Sequence, residues 1–146
     1  VFDEPALDLA VSRARDPFAS LPAHIVRPLA PLDREALHRW AHASGQHYVE
    51  VDLDSARDRK AALRAIGRAL AFPAWYGANL DALYDCLTDL PERAAGSAAG
   101  WNIVLRGWPP SERMDAEQRA ALLDVFRDAL ETFSEAGVPL RVFHTA

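Results

Sequence analysis

"WNIVLRGWPP", residues 101–110, is a short run crowded with aromatic and β-branched residues and ended by two prolines, which lack the N–H that a strand needs. It reads as a strand over 101–108. Upstream, "HYVEVDL" (47–53) alternates apolar and polar residues in strand fashion, and "HIVRPL" (24–29) is a shorter strand candidate. Downstream, "PLRVFH" (139–144) is the last. Helical patterns lie between them. In "PLDREALHRWAHASG" (31–45), Pro31 and Asp33 suit a helix start and Gly45 a stop. Asp54 or Ser55 can cap a helix carrying Leu63, Ile66 and Leu70, which ends before Phe72-Pro73 because a residue preceding proline avoids the α region. A turn at Gly77 leads to Asn79, a good N-cap, and a helix as far as Pro91. Asp115 with Gln118 suits a capping box for a helix to Glu135, striped by Leu122, Val125, Phe126, Ala129 and Phe133 and ended at Gly137. Strands alternating with helices need crossover connections. The expected class is therefore α/β, a central, mainly parallel sheet of three to four strands packed with helices.

The 146 residues, 50% apolar and 25% charged, suit one domain with a core large enough to fold without staples. Residues 1–22, with three prolines and a helix-like patch at Leu7–Ala14, read as an arm laid over a domain spanning 23–146. With 16 Lys+Arg against 21 Asp+Glu the formal charge is −5, which argues against wrapping a nucleic-acid backbone and favours a cationic partner. The single cysteine, Cys86, excludes an intrachain disulfide and a multi-Cys zinc site, and fits a reducing compartment. No apolar run suggests a membrane span or signal peptide. An opening at Val1 suits a trimmed chain or one that starts inside a longer precursor. "ERAAGSAAG" (92–100) reads as a loop.

The chemistry concentrates in "FPAWYGANLDALYDCLTDL", residues 72–90, where Asp81, Asp85 and Asp89 recur at a spacing of four with no Lys or Arg among them. At about 100° per residue, Leu80, Leu83, Leu87 and Leu90 share one helix face and the three aspartates lie on the other. Like charges four apart cost ~0.2–0.5 kcal/mol per pair, a cost that packing can absorb, so a plain solvated face is one reading. The other is a binding patch, since Tyr84 and Thr88 border the acids and Trp75 and Tyr76 precede the turn, and aromatics that exclude water around charges typify interface hot spots.

The same stretch resembles the signature of the barstar family of intracellular ribonuclease inhibitors, in its Pro-x-aromatic-Tyr-Gly-x-Asn-Leu-Asp-Ala-Leu-aromatic-Asp-Cys-Leu-Thr run. The similarity continues through "NIVLRGW", "LLDVFRDA" and "GVPLRVF", spanning about residues 46–146, with the strand and helix at 24–45 as an N-terminal addition. The resemblance implies a non-catalytic, cofactor-free cytoplasmic inhibitor whose helix carboxylates sit where RNA phosphates would. Its partner would be a basic, extracellular-type ribonuclease or nuclease toxin, and the inhibitor a monomer before binding. By the same resemblance Asp85 is the central acid and Asp81 supports it. Trp75 stands for a tyrosine that stacks on the enzyme and Tyr84 for a tryptophan. Gly77 and Asn79 form the contacting turn, Thr88 ends the contact helix, and Asp128 stands for a glutamate. The chain departs from the family in exchanging those two aromatic types, in the shorter Asp128, in Asp89-Leu90 after the threonine, in a longer loop at 91–100, and near Val138, where a second cysteine is replaced.

Other constellations compete. His38 and His42, one helical turn apart, lack the glutamate of a zincin and a third ligand, and read as a solvated face. Cys86 beside Asp85 reads as a buried thiol rather than a nucleophile. Asp52 and Asp54 read as strand-end and cap residues. The alternatives to a barnase-type inhibitor are an immunity protein against a different toxin, a small Mg²⁺-dependent hydrolase using Asp81 and Asp85, and a regulatory scaffold that has kept the fold.

Overall fold

A computed structural model describes residues 18–93 and 100–146. Strands β1 (His24–Pro28), β2 (His47–Asp52), β3 (Trp101–Arg106) and β4 (Leu140–His144) form one sheet in the order β1-β4-β3-β2, every neighbouring pair parallel. The helices are α1 (Arg34–Ala43), α2 (Arg59–Ala69), α3 (Leu80–Arg93) and α4 (Ala116–Ala136). The α/β class expected from the alternation of elements is what the chain adopts.

The strand order dictates where the helices go. From β1 to β2 the chain crosses from one edge of the sheet to the other, whereas β2 to β3 and β3 to β4 each step back toward the first edge. Right-handed crossovers taken in opposite directions lie on opposite faces. Accordingly α1 covers one face and α2, α3 and α4 the other. Side chains follow the period of two: Val104 and its register partner Phe143 join Leu37, Leu29 and Phe18 under α1, while Ile103 and its partner Val142 join Leu63, Ile66, Leu87, Phe126 and Phe133 on the three-helix side. Burying a large apolar side chain contributes about 1.5–3 kcal/mol, so the fully buried Phe126, Phe133 and Phe143 are major supports.

The part of the 1–22 segment within the described residues, Phe18 to Pro22, is tied to the α1 layer. Phe18 is buried and stacks on Trp40 with centroids 5.6 Å apart, and the Pro22 carbonyl accepts a 3.0 Å bond from Arg141 Nε. The same Arg141 donates to Gln46 Oε1, which also accepts from the buried Asn102 amide, so a polar network ties β3 and β4 to the segments that flank α1. The expected patch at Leu7–Ala14 and most of the expected loop at 92–100 lie outside the described residues.

Most helix boundaries obey their local signals. Asp33 accepts from Glu35 N; Asp115 and Gln118 exchange both bonds of a capping box; Gly137, at φ 72°, closes α4 in the left-handed conformation. Two expectations need correction. The cap of α2 is Asp58, accepting from Ala61 N at 2.9 Å, and neither Asp54 nor Ser55. Asp52 uses its carboxylate on Asp54 N at 3.0 Å, and Leu53 still pairs with Arg106, so the chain is in strand and turn where the cap was expected. Helix α3 also runs past Pro91 to Arg93, with Pro91 buried within its last turn. There the proline removes one backbone bond near the helix end, where few remain to lose.

His144 ends β4 beside Trp108, and burial first, then the Arg127 charge, holds its imidazole below its usual pKa. The native state thus favours the neutral ring. The resulting stability is present above the unfolded value near 6.5 and is lost as pH falls through the lower folded value. The urea midpoint is expected to drop between about pH 7.5 and about pH 5.5, and His144→Phe to lessen that drop. An equal drop in the variant would show that His144 has no part in it.

Candidate functional site

The segment joining α2 to α3 is built around Tyr76. Its ring lies on α2 where residue 67 has no side chain: a Cβ on Gly67 would stand 2.6 Å from Tyr76 Cε2. Its hydroxyl donates to the Leu63 carbonyl at 2.8 Å, and Phe72 meets the ring edge-on at 5.0 Å. Burial, with Cys86 second, pushes the phenol well above its usual pKa, so it stays a donor. With Tyr76 turned inward, its neighbour Trp75 is turned outward and is 61% exposed. The segment is bounded by Ala71 and Ala78, both left-handed at φ 54° and 51°. Gly77 is the expected turn residue, yet its own φ is not positive. Its lack of a Cβ instead admits Asn79 Nδ2, which would lie 3.1 Å away. Asn79 then caps α3, its Oδ1 accepting from Ala82 N at 2.8 Å.

Helix α3 buries Leu83, Cys86, Leu87 and Leu90 and half-buries Leu80, leaving the opposite side to Asp81, Tyr84, Asp85 and Asp89. Against it packs α4, and between the two runs an open groove of about 790 Å³ lined by Leu80, Asp81, Tyr84, Asp85, Val125, Arg127, Asp128 and Glu131. Four carboxylates thus face one groove. The single guanidinium there, Arg127, is engaged 2.9 Å from Asp124 on its own helix. Among the described residues none of the four groove acids has an ion-pair partner, and no three His, Cys, Asp or Glu side chains converge as metal ligands.

Of the residues singled out in the sequence, Asp81, Asp85, Tyr84 and Asp128 come together in this groove. Trp75, Gly77 and Asn79 form the segment that leads into it. Thr88 is half-buried and donates its hydroxyl back to the Tyr84 and Asp85 carbonyls at 2.9 and 3.1 Å, so it braces the helix. Asp89 leaves the row: it lines a separate cavity of about 330 Å³ with Trp75, Pro73 and Ala71. A spacing of four overshoots a turn by about 40°, so eight residues carry Asp89 about 80° away from Asp81. Glu131, three residues after Asp128, is a groove acid that the sequence pattern does not single out. His38, far from the groove on α1, lies flat on the Tyr48 ring at 4.3 Å.

The sequence matches the Barstar (barnase inhibitor) family over residues 46–145. The chain belongs to the barstar family. The family segment holds β2, α2, α3, β3, α4 and β4, and so the whole groove, while β1 and α1 precede it. No individual curated protein matches the chain. By its description the family is one of inhibitors. Among the described residues no helix is long and apolar enough to cross a membrane.

Gly67→Ala tests the anchoring of the segment. In an open helix the change would stabilise by ~0.5–1 kcal/mol. Here the tethered Tyr76 ring cannot yield, and overpacking costs about 1–3 kcal/mol, so a net loss is expected in urea unfolding. In a Tyr76→Ala background the same change becomes neutral or stabilising. A Gly67→Ala effect independent of Tyr76 would show that the ring is not what the glycine accommodates.

Proposed function

We propose that this barstar-family chain binds the active site of a basic ribonuclease and blocks it without catalysing a reaction. The observation that carries this reading is the groove in which Asp81, Asp85, Asp128 and Glu131 gather with no ion-pair partner among the described residues. Unneutralised carboxylates on a rigid two-helix wall suit cationic side chains that otherwise hold RNA phosphates. The exposed Trp75 and Tyr84, 61% and 38% accessible, offer the apolar surface that excludes water around such pairs. A hydrolase using Asp81 and Asp85 is less well supported, since among the described residues no group of three or more His, Cys, Asp or Glu side chains is placed to hold a metal ion. A specific feature also favours a partner other than barnase itself: Trp75 shares its cavity with Asp89, a charge at a position where the family has a small residue.

Asp85 and Asp89 separate by experiment. Truncating one member of a buried charge pair costs ~2–5 kcal/mol, mostly in dissociation rate, whereas a rim charge alters association rate and salt dependence; the barnase–barstar pair is itself a source of that generalisation. Asp85→Ala is expected to abolish tight inhibition without unfolding the protein. Asp89→Ala, near a helix C-terminus where anions are unfavourable, is expected to leave inhibition nearly unchanged and the free protein as stable or slightly more so. Titrating ribonuclease activity with each folded variant decides between them. Equal losses, or no loss with Asp85→Ala, would overturn the assignment of the groove as the inhibitory surface.

A further inference from the structure

The inhibitory groove has a counterpart on the next helix. Lys60, Arg64 and Arg68 recur along α2 at a spacing of four, all exposed, and together line a cavity of about 410 Å³ that ends at Tyr76, Gly77 and Ala78. Among the described residues no carboxylate pairs with any of the three. The interval is that of Asp81 and Asp85, about 6 Å along a helix axis. Helix α3 lies between its neighbours, touching α2 on one side and α4 on the other. Across the helix layer the order is therefore a basic ridge on α2, then α3, then the acid groove between α3 and α4; the exposed Trp75, in the segment joining α2 to α3, shares a cavity with Asp89 of α3.

A surface that is positive on one side and negative on the other is self-complementary under a two-fold axis that runs between the two, parallel to the helices. The geometry points to a symmetric dimer of this chain. In it each α2 ridge lies in the partner copy's acid groove. The opposite arrangement, ridge on ridge, would set like charges against each other. The net charge of −5 per chain opposes association at long range, but that repulsion is screened beyond about 10 Å at ordinary ionic strength while contact pairs across the face persist. The face that closes is the one proposed to meet the ribonuclease. Resting on that reading, the dimer is a closed reserve form that a tighter-binding nuclease must displace, and it replaces the monomer expected from the sequence.

Sedimentation equilibrium of the full chain at moderate ionic strength tests the dimer without any nuclease. Wild type is expected to show a monomer–dimer equilibrium that shifts to monomer as salt is raised. R64E/R68E reverses two of the three ridge charges and D81K/D85K two of the four groove charges, so each alone is expected to be monomeric. Mixed in equal amounts, they are expected to pair and restore the dimer mass. Should either variant fold poorly by circular dichroism, R64Q/R68Q reads the ridge with less perturbation, and loss of its dimer is expected. A wild type that stays monomeric at every concentration, a dimer that survives R64E/R68E, or a mixture that does not pair overturns the proposal. Species larger than a dimer overturn it too, because a head-to-tail contact would leave the ends open. A protein that dimerises in this way but inhibits no ribonuclease overturns the inhibitor reading and not this one.

Discussion

Strand β3 is hydrogen-bonded along both edges, to β2 and β4, and buried from Trp101 to Leu105 on both faces. Every other element takes its place from that requirement. A parallel strand with no wet face needs a helical layer above and below it. The family segment supplies only one of the two, through α2, α3 and α4. The other comes from α1, with Leu37 and Trp40, and from Phe18, which close over Val104 and Phe143. The N-terminal addition thus has a physical reason that is independent of binding: without it, Val104, Phe143 and Tyr48 would face water.

The features legible in the sequence are those decided within a few residues. Asn79, the Asp115 and Gln118 box, and Gly137 act on backbone groups of their own turn, and each stands where its pattern implies. The start of α2 is ambiguous in the sequence because Asp52, Asp54, Ser55 and Asp58 all offer short oxygen side chains within seven residues. Which of them caps depends on how far the β2 pairing with Arg106 extends, a long-range matter. The turn before α3 misleads for another reason: the left-handed residue is Ala78, although Gly77 is the residue that local preference would select.

The site is legible as a helix and illegible as a groove. Asp81 and Asp85 belong to one segment, and their exposure follows from the leucine face opposite them. Their meeting with Asp128 and Glu131 depends on how α4 lies against α3, which no local pattern encodes. The family resemblance nominates Asp128 by position, and the packing of the two helices accounts for its nearness. Asp89 shows the reverse error, since a row in sequence need not be a row in space.

The two left-handed alanines that bracket residues 72–77 would affect how the proposed partner is held once it has touched the loop. An L-residue with a Cβ sits in that conformation at a cost of roughly 1–2 kcal/mol, so each is held there by its surroundings. The Phe72 N–H bond to Gly67, the Tyr76 N–H bond to Pro73 and the tethered Tyr76 phenol supply that hold. Trp75 therefore projects from a backbone already set in its final shape. A partner meeting it gives up little conformational entropy to order the loop, and more of the contact energy survives as affinity.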